Sequence, residues 1–309
     1  MSGIGIGAIG VALGSTLEAT AGRAPGLGIE PERLEQRLGF ARLALKRAEQ
    51  DTSDLAMAAV EALGPALDPG ALDCLCVVTQ TPDAGGIPPV SSILHGRLTL
   101  PARVAAFDVA HGCAGFVYGL MLTLSFMQAQ GFRRGLLVTA DPYSKIVDRE
   151  DPHTALIFGD AATATVLNPD PVWSVGRADF GSAGDQRDAL RLLPNGRLYM
   201  NGKRVARLCH SVVPASVRRA LDLNGLSLEQ IDQVLLHQGS RYIVETVGQA
   251  LGVPEKTPFV AGEYGNVVSS SLPLALARHV APGVNRLVMC GFGVGLSWAT
   301  TVLTRNSAG

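Results

Sequence analysis

Apolar runs of strand length alternate with helical hydrophobic patterns along the whole of this 309-residue chain, and this alternation constrains the fold more than any other feature. The predicted strands are residues 3–13, 72–79, 103–109, 135–140, 155–167, 232–237, 286–292 and 296–304. The predicted helices are residues 52–66, 113–130, 203–224, 240–251 and 267–280. Such alternation is typical of α/β proteins, in which helices cover both faces of a sheet of parallel strands.

A stretch richer in Pro, Gly and Asp, residues 168–196, divides the pattern into two parts of similar plan. Each part has a helix, a strand, a turn with reactive side chains, another helix and a closing pair of strands. We therefore predict a duplicated α/β unit, with one half at residues 1–170 and the other at residues 171–309.

Composition excludes several classes of function. A net charge of -1 and an aromatic content of 5% argue against nucleic-acid binding. The longest apolar run, residues 112–127, is shorter than a membrane span. The odd number of cysteines, five, predicts free thiols in the reducing cytoplasm, and the N-terminus has no basic region typical of a signal peptide.

A glycine pattern near the N-terminus resembles a dinucleotide-binding fingerprint without its context. Gly5, Gly7 and Gly10 have the expected spacing, and Glu30 follows downstream. The strand that should precede the first glycine is missing, and strand-like residues follow where a helix is required. We expect no nucleotide cofactor here.

The strongest local motif is FDVAHGCAGFVYGL, residues 107–120, in which Cys113 lies between a buried strand and a long apolar helix. Small neighbours leave room for a substrate at the sulfur. A helix N-terminus stabilises a thiolate and lowers its pKa, so we predict that Cys113 is a nucleophile. The other cysteines are expected to be structural, and the Cys74 and Cys76 pair lacks a second pair for zinc.

Two further turns carry polar side chains that suit acyl chemistry. His237 ends an apolar strand in QVLLHQGS, residues 233–240, and we expect this turn to mirror the one at Cys113. Asn266 lies in a turn before a helix in GEYGNVVSSSLPLAL, residues 262–276. A thiol, an imidazole and a carboxamide at equivalent turns suit acyl transfer followed by enolate stabilisation.

These motifs, in this order, resemble the 3-oxoacyl-[acyl-carrier-protein] synthase III family over nearly the whole chain. The matching stretches are HGCAGF, HQGS, YGN with SSSLPLAL, LIFGDAATATVL at 156–167, MNGKRV at 200–205 and GFGVGLSW at 291–298. The resemblance implies a homodimer of thiolase-fold subunits, each with two pseudo-equivalent βαβαβαββ halves in a layered αβαβα architecture. It also implies an acyltransferase that acts in fatty acid or specialised metabolite biosynthesis.

The resemblance implies a mechanism in two stages. Cys113 takes an acyl group from CoA, and a malonyl thioester then loses carbon dioxide and attacks the acyl group. His237 and Asn266 stabilise the enolate, and the backbone N–H groups of Cys113 and Gly295 form the oxyanion hole. The malonyl donor is malonyl-CoA or malonyl-acyl carrier protein, and neither a metal nor a bound cofactor is expected.

By the same resemblance, the residues expected to contact substrate are Arg37, Ile87, Phe158, Ser240 and Arg241. Ile87 is expected to reach across the dimer to the partner's acyl tunnel. Because many relatives have a Phe at this position, the smaller Ile predicts room for acyl chains longer than acetyl.

Several positions depart from the family pattern and leave the acyl donor and acceptor open. The family usually has Gln-Ala-Asn after the histidine, whereas Gln238, Gly239 and Ser240 follow His237 here. Arg33 replaces a Trp that often holds the adenine of CoA, and His111 replaces a small or amide residue. The helix 240–251 has Arg241 but lacks the Lys pair that helps to dock acyl carrier protein.

Two alternative functions remain. The same fold could transfer the acyl group from Cys113 to an oxygen or nitrogen acceptor without decarboxylation, although Asn266 then has no enolate to stabilise. The chain could also be a non-catalytic partner subunit, although such partners usually lack the Cys or the His, and this chain has both.

Overall fold

The computed structural model describes residues 3–306 of the chain. Its strands are β1 (Gly5–Leu13), β2 (Thr16–Ala19), β3 (Arg42–Leu45), β4 (Cys74–Val78), β5 (Ala105–Val109), β6 (Gly135–Ala140), β7 (Ala161–Asn168), β8 (Trp173–Val175), β9 (Asp179–Ser182), β10 (Leu190–Leu192), β11 (Leu198–Met200), β12 (Gln233–Leu236), β13 (Arg286–Gly293) and β14 (Ser297–Arg305). Its α-helices are α1 (Thr20–Arg23), α2 (Thr52–Glu61), α3 (Val90–Arg97), α4 (Gly115–Gln130), α5 (Gly202–Leu223), α6 (Arg241–Leu251) and α7 (Ser271–Arg278). None of the helices within residues 3–306 combines the length and the apolar character needed to cross a membrane.

Ten strands form a mixed sheet with two sets of equivalent order. The first set runs β5-β4-β6-β7-β1, with β4 parallel to both β5 and β6 and with β7 antiparallel to its neighbours. The second runs β12-β13-β14-β8, with β12 parallel to β13 and with β14 antiparallel to its neighbours; β9 also pairs with β14. The sets meet where Ile6 of β1 lies opposite Trp173 of β8.

The helices form layers around these two sets of strands. Helix α2 packs on β1, β6 and β7, and α5 packs on β9, β13 and β14. Helices α4 and α7 contact strands of both sets, so they form the layer between them. This arrangement is the layered α/β architecture that the family resemblance implies. The predicted boundary at residues 170 and 171 falls between β7 and β8, and the division into two domains remains a prediction.

Several elements differ from the sequence prediction. The sheet is mixed, because the link from β13 to β14 is only residues 294–296 and so short a connection permits only antiparallel pairing. The strand predicted at 155–167 begins at Ala161, since residues 155–157 form a turn and Phe158 makes only an isolated bridge to Asn266. The sequence analysis also missed α3, whose surface exposes polar and basic residues without a clear apolar period.

The glycine pattern near the N-terminus serves close packing in β1. A Cβ atom at Gly10 would lie 2.2 Å from the backbone oxygen of Ala59 in α2. Only a glycine lets the helix approach the strand this closely. Gly5, Gly7 and Gly10 all lie within β1, so they do not form the turn between a strand and a helix that a dinucleotide fingerprint requires.

Candidate active site

Cys113 lies in the turn between β5 and α4. Strand β5 ends at Val109, and the first helical residue of α4 is Gly115, so the thiol precedes the helix by two residues. The side chain is only 4% exposed. Helix α4 runs for 16 residues because its apolar sequence is buried between the two sets of strands, and it ends at Gly131 in the left-handed conformation.

Burial controls the protonation of this thiol. It raises the pKa of Cys113 to about 12, and the negative charge of Asp141 acts in the same direction. Hydrogen bonds from the backbone N–H groups of Val294 and Cys113 to the sulfur lower the pKa, but they do not outweigh the loss of water. The expectation that the helix N-terminus lowers the pKa below its usual value is therefore wrong, and the resting thiol is protonated.

His237 follows β12 directly, and its backbone N–H donates to the Cys290 oxygen at 2.9 Å. The side chain is buried, with the edge of the Phe292 ring against it at a centroid distance of 5.6 Å. Burial lowers the pKa of His237 to about 3, because the charged imidazolium would lose its hydration. The imidazole is therefore neutral at physiological pH.

The surroundings of the imidazole indicate its tautomer. Nδ1 of His237 is buried and has no hydrogen-bond partner within residues 3–306. Nε2 lies beside Gly239, where a Cβ atom would be 3.8 Å away, and both residues line the cavity described below. A neutral imidazole carries one proton, and we assign it to Nε2, because a proton on Nδ1 would be a buried donor without an acceptor.

Asn266 is held by its backbone and by its side-chain oxygen. Its N–H donates to the Ile157 oxygen at 2.8 Å, and its carbonyl accepts from the Gly159 N–H at 3.0 Å. Oδ1 accepts from the Val268 N–H at 2.9 Å. Val268 has a φ of 50°, which is strained for a β-branched residue and marks a tightly constrained turn. Because Oδ1 is engaged, the amide Nδ2 is the group free to donate to a ligand.

The strand order shows which turns are equivalent. Strands β4 and β12 occupy the same position in their sets, so the turn after β12 that carries His237 corresponds to the turn after β4 that carries Thr79. The counterpart of the Cys113 turn is the segment leading into α7, which carries Asn266, because α4 and α7 share the middle layer. The expectation that the His237 turn mirrors the Cys113 turn is thus corrected: the thiol and the amide are the equivalent pair.

One cavity of about 1250 Å³ brings the three predicted catalytic residues together. Cys113, His237 and Asn266 all line it, together with the buried rings of Phe158 and Phe292. Its mouth is more polar. Four exposed cations and two carboxylates lie there: Arg33, Arg37, Lys203, Arg207, Glu30 and Glu32. The excess of positive charge suits the phosphates of a CoA or phosphopantetheine group.

Three of the five predicted substrate contacts line the cavity. Arg37 lies over the Tyr242 ring at 4.9 Å, Phe158 is buried beside Asn266, and the hydroxyl of Ser240 caps α6 by accepting from the Ile243 N–H at 3.3 Å.

The other two predicted contacts, Ile87 and Arg241, are not among the described residues that line the cavity. Ile87 is 85% exposed, and Arg241 packs over the Phe259 ring and pairs with Glu245 at 3.5 Å. A contact of Arg241 with substrate remains a prediction. A contact of Ile87 with a partner's tunnel remains a prediction.

The loop that carries Gly295 lies against Cys113, and the role of Gly295 as an oxyanion donor remains a prediction. Gly293 lines the cavity and Gly295 does not, as far as residues 3–306 are concerned. The backbone N–H that reaches the Cys113 sulfur is that of Val294. Val294 is therefore a further candidate for this donor, one that a search for glycines in a glycine-rich stretch overlooks.

Sequence reasoning also missed a buried polar network behind Cys113. Asp141 follows β6 and accepts from the Gln80 N–H at 2.6 Å and from the Ser269 hydroxyl at 2.5 Å. The Tyr143 hydroxyl donates to Gln80 Oε1 at 2.8 Å. Burial raises the pKa of Asp141 to about 6. The signal available in the sequence was a carboxylate at the carboxyl end of a buried strand, where α/β sheets place functional groups.

Comparisons with known proteins agree with this geometry. Residues 107–184 match the family model described as 3-oxoacyl-[acyl-carrier-protein (ACP)] synthase III, and residues 221–305 match its C-terminal counterpart. The beta-ketoacyl-[acyl-carrier-protein] synthase III of Geobacillus kaustophilus is 33% identical over 281 residues, covering 88% of this chain and 89% of the relative.

Solved structures give the same result. The beta-ketoacyl-[acyl carrier protein] synthase III of Thermus thermophilus superposes with a TM-score of 0.89 at 30% identity, covering 98% of this chain and 100% of the other. The priming beta-ketosynthase of the R1128 polyketide biosynthetic pathway superposes with a TM-score of 0.88 at 26% identity, covering 99% and 97% of the two chains.

Proposed function

The chain belongs to the 3-oxoacyl-[acyl-carrier-protein] synthase III family of thiolase-fold condensing enzymes, and on this premise we propose that Cys113 takes an acyl group from CoA and condenses it with a malonyl thioester. The observation that supports this assignment most directly is the convergence of Cys113, His237 and Asn266 on one cavity. The product is a 3-oxoacyl thioester.

In the first half-reaction, the Cys113 sulfur attacks the carbonyl carbon of acyl-CoA. The thiol proton passes to the departing CoA sulfur, so the products are the acyl thioester of Cys113 and free CoA. The thiolate is the nucleophilic form, so the protonated resting thiol must lose its proton as it attacks. The N–H groups of Cys113 and Val294 stabilise the oxyanion, since both already face the sulfur.

In the second half-reaction, a malonyl thioester enters the cavity and loses carbon dioxide. Nε2–H of His237 and Nδ2–H of Asn266 donate to the thioester oxygen, where the enolate charge develops. The enolate carbon attacks the acyl carbonyl on Cys113, and the Cys113 thiolate leaves and takes up a proton. A neutral histidine is the form required, because it donates one hydrogen bond without itself being an acid that protonates the enolate.

Asn266 distinguishes condensation from simple acyl transfer. Its Oδ1 is locked by the Val268 N–H, which leaves Nδ2 as a donor in the cavity. A transfer to an oxygen or nitrogen acceptor has no enolate for this amide to stabilise. The proposed reaction needs no bound cofactor, because the thiol, the imidazole and the amide supply its chemistry and CoA thioesters are substrates.

Charge at the cavity mouth supports entry of an anionic thioester as malonyl-CoA or malonyl-acyl carrier protein. The cations Arg37 and Arg207 lie at this mouth. On α6, in contrast, Arg241 is paired with Glu245 and is not available as an isolated cation. We propose that binding depends on the phosphates at the mouth more than on a basic α6 surface.

We propose that the chain forms a homodimer through the edge strand β5 and helix α4. Within the described residues, β5 pairs on one side only, with β4. Tyr118, Leu122 and Phe126 share one face of α4 because they are four residues apart, and Phe107 of β5 packs against Phe126 at 5.5 Å. Leu122 is 49% exposed, which supports the proposal that a partner covers this apolar face.

The five cysteines are all free and buried, which supports the proposal of a cytoplasmic protein.

Intact-mass spectrometry of the protein incubated with a panel of acyl-CoAs tests the proposed function. We expect a mass increase of one acyl group that is lost in Cys113→Ala and kept in Cys74→Ala. Addition of a malonyl thioester should remove the acyl group and release a 3-oxoacyl product. Acyl loading of Cys113→Ala, or loading without consumption by malonyl thioesters, would contradict the proposal.

A further inference from the structure

We propose that Tyr143, held in place by Gln80, forms the floor of the acyl site and restricts Cys113 to short acyl groups such as acetyl and propionyl. This inference rests on the proposed loading of Cys113. Neither residue lines the cavity that carries His237 and Asn266, as far as the described chain shows. Gln80 lies against Gly112, the residue before the nucleophile, and the Tyr143 hydroxyl donates to Gln80.

The two substrates must occupy different sides of Cys113. A malonyl thioester has to reach His237 and Asn266, so it occupies the cavity. The acyl chain on the sulfur must then point away from these residues. Gln80, which does not line this cavity, abuts the residue before the nucleophile, since a Cβ atom at Gly112 would lie 2.4 Å from Gln80 Oε1.

Tyr143 is close enough to Cys113 for a charge on the sulfur to affect the pKa of the phenol. Burial raises the pKa of Tyr143 well above its usual value, and the charges of Asp141 and Cys113 add to this effect. Tyr143 also belongs to the same buried hydrophobic cluster as Cys113 and Phe158. The phenol ring therefore faces the space that an extended acyl chain would need.

That space is filled. Tyr143 is 2% exposed, and its ring packs against Phe158 at a centroid distance of 5.0 Å. Its hydroxyl donates to Gln80 Oε1 at 2.8 Å. A chain long enough to displace the ring would break this partly buried hydrogen bond and overpack the cluster, and both changes are unfavourable.

The surroundings of the ring are also poorly matched to alkyl groups. Asp141 accepts from the Gln80 N–H at 2.6 Å, so the backbone and side chain of Gln80 are both engaged in a partly buried network. A medium-length alkyl chain would desolvate these polar groups without replacing their partners. The short-chain inference reverses the expectation, based on Ile87, of a roomier acyl pocket.

The test is the initial rate of acyl loading, measured by intact mass, with acetyl-, propionyl-, hexanoyl- and octanoyl-CoA. We expect wild-type protein to load acetyl at least tenfold faster than octanoyl. Tyr143→Leu, which removes the ring, should lower this ratio at least tenfold by a gain with hexanoyl and octanoyl. Tyr143→Phe keeps the ring and should keep most of the preference. Met127→Ala, a cavity-forming change at the far end of α4, should leave the ratio unchanged.

The outcomes separate this inference from the proposed function. Wild-type protein that loads octanoyl as fast as acetyl overturns the role of Tyr143 and leaves the nucleophile intact. Folded Tyr143→Leu protein with an unchanged ratio, verified by thermal melting, also overturns it. If Tyr143→Leu does not fold, the ratio of acetyl to octanoyl loading in wild-type protein and in Tyr143→Phe tests the inference instead. A wild-type protein that loads none of the four acyl groups contradicts the proposed function itself.

Discussion

Gly293 lies directly against the Cys113 sulfur, and a Cβ atom built on Gly293 would be 2.6 Å from Sγ. This distance is far shorter than a van der Waals contact. The same glycine lines the cavity and precedes Val294, whose N–H reaches the sulfur. The absence of a side chain at Gly293 thus leaves room beside the sulfur for the substrate carbonyl, and the next residue supplies the proposed donor that stabilises it.

Gly293→Ala should therefore block acyl loading while the thiol remains present. The added methyl group occupies the position next to the sulfur, so we expect loading of the preferred acyl-CoA to fall at least a hundredfold, in line with the loss of one oxyanion donor. Intact-mass time courses measure the loss. Gly26→Ala, at an exposed glycine with open space around its Cβ position, is the matched control. Normal loading by Gly293→Ala would show that the loop does not face the reacting carbonyl.

His237→Ala and Asn266→Ala should separate the two half-reactions. Each variant removes a donor to the enolate oxygen, so we expect decarboxylation and condensation to fall about a hundredfold while acyl loading changes less than fivefold. Single-turnover assays with preloaded protein measure condensation, and intact mass measures loading. His95→Ala should affect neither step, because the His95 ring bonds to the Pro101 oxygen away from the cavity. Variants that decarboxylate normally but fail to load would reverse the assigned roles.

The reactivity of Cys113 should rise steeply with pH. Burial raises the pKa of the thiol to about 12, so below that value the thiolate fraction grows tenfold for each pH unit. We expect the rate of alkylation of Cys113 by iodoacetamide to increase between pH 6 and about pH 10 without a plateau. Peptide mass mapping assigns the alkylated cysteine. A plateau near neutral pH would mean that the pKa is lowered instead, as the helix N-terminus alone predicted.

Arg37→Ala should weaken acyl-CoA binding without slowing chemistry. Arg37 is exposed at the cavity mouth and stacks over Tyr242, which suits contact with a phosphate. Loss of one exposed ionic contact costs about 1 kcal/mol, so we expect KM to rise about fivefold and kcat to stay nearly constant. Steady-state kinetics at two salt concentrations measure this, and the difference should shrink at high salt. Arg133→Ala, outside the cavity, should leave KM unchanged, and an equal change in both variants would refute a specific contact.

Leu122→Asp should shift the proposed homodimer towards monomer. The half-exposed leucine lies on the apolar face of α4 beside β5, and a buried carboxylate at an interface is strongly unfavourable. Light scattering coupled to size-exclusion chromatography gives the mass. Leu17→Asp on β2, at a site that is 56% exposed, is the control for surface charge. A dimer that persists in Leu122→Asp would place the interface elsewhere.

The sequence by itself determined the fold class and the three candidate catalytic residues. Cys113, His237 and Asn266 lie in short contiguous motifs, and the alternation of strands and helices is a local pattern, so both can be recognised without knowing the packing. Most helices begin and end near their predicted limits for the same reason. Helix α3 was missed, because its burial depends on contacts with β4 and β5 more than on its own apolar pattern.

Only the tertiary structure decided how these residues act together. The equivalence of the Cys113 and Asn266 turns follows from strand order, and the proposal of Val294 as an oxyanion donor depends on its N–H reaching the sulfur. The pairing of Tyr143 with Gln80 joins residues 63 positions apart. The raised pKa of Cys113 and the lowered pKa of His237 arise from burial. Burial and long-range contacts are properties of the packed chain, and no local stretch of sequence contains them.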